Sequence, residues 1–188
     1  TIRNTYIKEL DNYGSIPFRS RAIAALVRFS DEICEDRSRA ARYLIQNSGL
    51  PKKSEIFHHY ANSISSVDVD LIGKSISIKY QLTKKSALHK FGKVGSEDQY
   101  LIDEINERLE KMFCELCYCK SFMLDLVNIN RIRASVEIVD DDEYMTPLTT
   151  EVFELEEKGY PSQIFSFSLH HPEWCGEKVY QTLSIEPQ

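Results

Sequence analysis

Residues 67–82 read VDVDLIGKSISIKYQL. Val67, Val69 and Leu71 alternate with polar residues, Ile76, Ile78, Tyr80 and Leu82 do so again, and Gly73-Lys74 stands between the two runs. Successive side chains on a strand point to opposite faces, so this spacing predicts a β-hairpin with one apolar face buried. The period then changes. Over residues 97–119, Leu101, Ile105, Leu109, Met112, Phe113 and Leu116 recur at intervals of three and four, with Glu and Lys on the other side, which predicts an amphipathic helix.

Working outward toward the N-terminus, residues 5–10 can form a short strand and NYGS (12–15) reads as a turn. A helix is expected from Pro17, because Ile23, Leu26, Val27, Ile33 and Cys34 share a face. A second is expected over 39–47, stopped by Ser48-Gly49 and Pro51, and a third over 54–63. Toward the C-terminus, 122–127 and 132–139 read as strands, the latter ending at DDDE (140–143). Residues 149–157 read as a helix ended by Gly159 and Pro161. Strands are expected at 164–169 and 178–185, joined by a turn containing His170-His171-Pro172. This order predicts a single α+β domain over 1–188, a largely antiparallel sheet packed against helices. No repeat or long linker divides it.

With 188 residues, 42% of them hydrophobic, the chain can bury a core without cross-links. No apolar run approaches the roughly 20 residues of a membrane span, and the N-terminus lacks a signal-peptide layout, so any membrane contact would be peripheral. Five cysteines, an odd number with three in CELCYC (114–119), fit a reducing compartment, cytosol or nucleus, better than a disulfide framework. Charge is segregated: residues 1–93 hold 16 Lys and Arg against 9 Asp and Glu, residues 94–188 hold 7 against 20. Within the basic half, residues 71–96 contain six lysines and no acid. Such a polarity bears on partners, not on fold.

Several constellations could carry chemistry. Glu55, Asp70 and Lys79 are arranged in sequence like a metal-dependent nuclease of PD-(D/E)xK type, but Ser77 stands where that site needs a carboxylate two residues before the lysine. Asp140 to Glu143 lacks the spacing of a calcium loop and reads as a solvated strand end. Cys114, Cys117, Cys119, His170, His171 and Cys175 could be assembled into a zinc site, yet the first three fall on the long helix and read better as buried thiols. GLPKKSEIFHHY (49–60) has a helix-turn-helix outline without the arginines and amides that read base edges, so sequence-specific DNA binding is not expected. Gly92 and Gly95 do not make a phosphate-binding loop. The basic loop, about 83–96, is different: Lys84, Lys85, His89, Lys90 and Lys93 surround Leu88 and Phe91, and two glycines let it be mobile. Cations interleaved with large apolar side chains suit a reversible contact with an anionic membrane surface, each lysine contributing about 1 kcal/mol.

RIRASVEIVDDDEYMTP (131–147), preceded by SFMLDLVNIN, resembles the late sheet strand of rhabdovirus matrix proteins. YIKELDNYGSIPFRSRAIAALVRFSDEI followed by RAARYLIQNSGL is similar to that family's opening strand, turn and helices, and SQIFSFSLHHPEWCGEKVYQTLSI to its final hairpin. The resemblance implies a non-enzymatic viral structural protein, without cofactor or metal. It would self-associate into arrays, bind the viral nucleocapsid and line the inner face of the envelope. In the host it would be a peripheral membrane protein of the cytoplasm or nucleus, acting in assembly and budding. It also implies a membrane or ribonucleoprotein contact at Lys84, Lys85, Leu88, Lys90, Phe91 and Lys93. The readings weighed against it are the nuclease and a small acidic cytosolic binding or inhibitor protein.

Overall fold

The computed structural model describes residue 2 and residues 7–124, 126–142, 144–158 and 165–185. Strands β1 (Asp11–Tyr13) and β2 (Ile16–Phe18) form a small hairpin in which Tyr13 pairs with Ile16. NYGS supplies its turn, and Gly14 adopts φ +63°, a left-handed conformation that glycine takes without strain. Pro17 lies in β2, so helix α1 (Ser20–Ile33) begins three residues later than the sequence predicts. It buries Ala22, Ala25 and Phe29. The short helix α2 (Arg42–Gln46) and then α3 (Glu55–Ser63) follow, each close to expectation.

Helix α3 leads directly into β3 (Ile64–Asp70), and β4 (Ser75–Thr83) returns antiparallel to it, with Val67 opposite Ile78 and Val69 opposite Ile76. This is the hairpin of residues 67–82, and Ile76, Ile78, Tyr80 and Leu82 are all buried. The expected basic loop contains helix α4 (Lys84–Leu88) and a short strand β5 (Lys90–Phe91), which pairs with β6 (Gln99–Tyr100).

Helix α5 (Leu101–Met123) is the long amphipathic helix. Leu101, Ile102, Ile105, Leu109, Met112 and Leu116 are at most 2% exposed. Each such side chain contributes about 2 kcal/mol by leaving water. Across from α1, Arg28 pairs with Glu115 (2.5 Å), Glu32 with Lys111 (2.8 Å) and Glu35 with Arg108 (3.7 Å). Rising numbers on one helix meet falling numbers on the other, so α1 and α5 run antiparallel.

Strands β7 (Arg131–Val139) and β8 (Pro147–Glu156) complete a four-stranded sheet of order β3-β4-β7-β8. The outer pairs are antiparallel, and β4 runs parallel to β7 over nine residues, from Ser75 beside Arg131 to Thr83 beside Val139. The chain is a single α+β domain. Four expectations fail locally. Residues 122–124, 126 and 127 hold the end of α5 and a loop, not a strand, and Asp125 lies outside the described residues. Of the expected helix 149–157, residues 149–156 lie in β8, because Phe153 and Leu155 are buried while Val152, Glu154 and Glu156 are exposed, a period of two. At 178–185 the expected strand is helix α7 (Gly176–Ser184), where Val179 and Leu183, four apart, face the core. Helix α6 (Phe167–His170) precedes it in place of the strand expected at 164–169. Residues 3–6, 159–164 and Glu143, on which parts of the expected first strand, helix stop, late strand and acidic run fall, lie outside the described residues.

Candidate functional site

Four local arrangements bring α2, α3, α4 and β5 around one cavity. Thr83 Oγ1 accepts the Ser86 N–H at 3.2 Å, and Asp141 Oδ2 accepts the Lys85 N–H at 2.9 Å, so the C-terminal end of the sheet's parallel central pair holds α4. His58 Nδ1 accepts the Ala41 N–H at 3.4 Å and ties the start of α2 to α3. Gly92 is buried against the Lys52 backbone, where a side chain would collide with the Lys52 carbonyl, and its own carbonyl accepts the Ile56 N–H at 3.4 Å. Phe91 is thereby pressed onto α3: its ring centroid lies 4.1 Å from that of His59 and 4.6 Å from that of His89.

The resulting cavity is about 590 Å³. Leu44 and Ile45 of α2, Leu50, Leu88 and Phe91 give it apolar walls, and Glu55, His59, Lys85, Ser86 and His89 supply polar groups. A second chamber of about 120 Å³ adjoins it and shares His59 and Ser86 as lining. Burial lowers the His59 pKa below the ordinary imidazole value, and the charges of His89 and His58 act the same way, while Glu55, one helical turn before His59, opposes them. At neutral pH His59 is therefore an uncharged imidazole beside a carboxylate, the state in which it can take a proton.

Behind β5, Lys93 Nζ lies 2.9 Å from Glu104 and 2.5 Å from Glu107, and donates to Gln99 at 3.0 Å. The Glu104 side chain is 2% exposed and also takes Arg108 Nε at 2.8 Å. Burial alone would lower the Lys93 pKa, but the carboxylates of Glu107 and Glu104 outweigh it and raise it. This buried pair anchors the segment that carries His89 and Phe91.

The residues singled out in the sequence separate. Lys84 is half-buried, Lys85 is exposed at the cavity, and Leu88 is half-buried in its wall. Lys90 Nζ sits 4.7 Å from the centre of the Tyr100 ring, and Phe91 is 3% exposed, so it cannot enter a bilayer without leaving the core. Glu55 lines the cavity. Asp70 accepts the N–H groups of Ile72 and Gly73 and closes the β3–β4 turn at the other end of the hairpin, and Lys79 is exposed on β4 between Ser66 and Ser135. These three therefore do not form a nuclease centre. Asp141 and Asp142 are not merely a solvated strand end: Asp141 holds α4, and Asp142 accepts from Thr146 N and Oγ1. The five cysteines are free thiols, and burial pushes Cys117 up to about 11, away from thiolate chemistry. His59 was missed in FHHY. The one local signal is the four-residue spacing from Glu55, which places both on one helix face.

A family model, HD-CE, matches residues 3–111, more than half of the chain and from β1 to the middle of α5. The chain belongs to the HD-CE family. HD-CE domains are HD-superfamily phosphohydrolases, a metal-dependent class. No curated protein and no solved structure matches the chain.

HD-CE membership overturns the matrix-protein resemblance and, with it, the expectation of a viral budding protein without catalysis. The strand order behind that resemblance also fails at its end, where α7 replaces the final hairpin. The membrane, nucleocapsid and self-assembly roles of Lys84, Lys85, Leu88, Lys90, Phe91 and Lys93 were carried over from it and lose that ground. No helix among the described residues is long and apolar enough to cross a membrane. Of the readings weighed, a metal-dependent hydrolase stands nearest to HD-CE, though not through the residues named for it. The described residues also do not fit a metal, because no group of three or more His, Cys, Asp or Glu among them is placed to hold one.

Proposed function

We propose that this HD-CE chain hydrolyses phosphate esters, and that the cavity between α2, α3 and α4 is where the ester binds. The observation that carries the reading is a coincidence of extents: every residue lining that cavity, from Leu44 to Phe91, lies inside the stretch matched by the family model. A cavity of this size, mostly apolar with a few converging polar groups, is the ordinary form of a small-molecule site.

Each polar group has a role in such a reaction. Lys85, exposed at the cavity, attracts the anionic ester. His59, uncharged through burial, takes a proton from the attacking water. Glu55 favours the imidazolium that results, because its negative charge raises the His59 proton affinity. No step is routed through a metal.

The test is hydrolysis of p-nitrophenyl phosphate and bis(p-nitrophenyl) phosphate by the purified chain without added metal. Release of p-nitrophenolate is expected, with KM raised in Lys85→Glu. An absence of turnover on both esters refutes the reading.

A further inference from the structure

We infer that the ester's phosphoryl group occupies the smaller chamber between Arg37, His59 and Ser86, and that its organic part is an apolar or aromatic group filling the larger cavity. This rests on the phosphohydrolase reading for its choice of ester, and on the shape of the two spaces for the rest.

The smaller chamber, about 120 Å³, has room for a small tetrahedral anion and little more. Its polar lining contains an arginine, an imidazole, two amides and three hydroxyl groups, and no carboxylate. Arg37, an exposed side chain, is tethered there by one edge: its Nε donates to the Asn62 backbone carbonyl at 3.0 Å, which leaves both terminal nitrogens of the guanidinium for an anion. A planar fork held in this way matches the geometry of phosphate oxygens. Ser86 Oγ accepts from Thr83 Oγ1 at 3.2 Å, so the Ser86 hydroxyl proton is free to point at a ligand. A chamber in a net acidic protein whose lining gathers a tethered cation and donors, and no acid, selects an anion.

The larger cavity is built for something else. About 590 Å³ far exceeds a phosphoryl group, and its wall is more apolar than polar, with Leu44, Ile45, Leu50 and Leu88 beside the polar Glu55, Lys85 and His89. The tilted His59 and Phe91 rings, 4.1 Å apart, add an aromatic surface. Because His59 and Ser86 line both spaces, an ester spanning them passes against both side chains.

The experiment is calorimetric titration with three ligands that cannot be turned over: 1-naphthylphosphonate, methylphosphonate and 1-naphthol. The naphthylphosphonate is expected to bind at least about tenfold tighter than methylphosphonate, and Arg37→Gln to weaken both phosphonates about tenfold while sparing 1-naphthol, the loss typical of a charged hydrogen bond. Leu88→Gln should weaken the naphthyl ligands alone, and Leu88→Met should not. Equal affinity for the two phosphonates, or phosphonate binding indifferent to Arg37→Gln, overturns the inference. Selective binding without any turnover of esters upholds the inference and refutes hydrolysis. Turnover that is equally fast on naphthyl and glycerol phosphates does the reverse.

Discussion

Gly92 is packed so closely on Lys52 that a β-carbon at position 92 would overlap the Lys52 carbonyl oxygen. That contact sets how near β5 comes to α3, and so the 4.1 Å approach of Phe91 to His59. Gly92→Ala has nowhere to put its methyl group, since the neighbour is backbone. It is expected to cost about 1–3 kcal/mol, the range for overpacking, in urea unfolding, and to lower affinity for 1-naphthylphosphonate as the cavity wall shifts.

Lys93 and Glu104 hold the same segment from behind. Their side chains are 16% and 2% exposed, so removing one partner strands the other in a poorly solvated place. Lys93→Met is expected to cost roughly 3 kcal/mol, at the lower end for a broken buried pair because Arg108 still neutralises Glu104. Equilibrium denaturation reads this directly. A loss under about 0.5 kcal/mol, the size of an exposed pair, would show that the contact is not buried in solution.

Asp141 reaches across from the loop after β7 to accept the Lys85 N–H. Asp141→Ala should cost about 1 kcal/mol, as for other lost helix caps, and loosen α4. Faster amide hydrogen exchange at Lys85 and Ser86, with the β3–β4 ladder unchanged, is the expected signature.

His59 gives the protein a dependence on pH whose sign follows from burial. Its folded pKa is lowered, so the unfolded chain binds the proton first as the pH falls. Its contribution to stability is complete above about pH 6.5 and declines as the pH drops from there through the folded pKa. His59→Gln should flatten that part of the stability profile in urea titrations between about pH 7 and 5. If His59 is the proton acceptor, the acid limb of kcat/KM falls below 6.5 for the same reason.

Where an element's neighbours lie close in sequence, residue spacing reveals it. Val67 to Leu82 and Leu101 to Leu116 carry periods of two and of three to four that only one structure satisfies. The failures lie where the period was overlooked or short. In β8, Phe153 and Leu155 alternate, but the surrounding glutamates look equally like a helix surface. In α7, a single pair, Val179 and Leu183, carries the helical signal. The parallel pairing of β4 with β7, across the whole of α5, leaves no mark on either strand alone. The site was harder still. Lys85, Leu88, His89 and Phe91 were picked out as a basic, apolar loop, but their partners Leu44, Glu55 and His59 lie about thirty or forty residues earlier in the chain. Charge and hydrophobicity in one segment point equally to a membrane or to a pocket, and the decision rests on whether Phe91 faces inward, which is a property of Gly92 and Lys52.

The most direct measurement of the central claim is kcat/KM for p-nitrophenyl phosphate in the native chain and in His59→Gln, with folding of both verified by urea denaturation. Loss of a positioned proton acceptor predicts a fall of roughly 100-fold or more, carried mainly by kcat. A native chain that turns the ester over and a His59→Gln variant that does so at the same rate would contradict it.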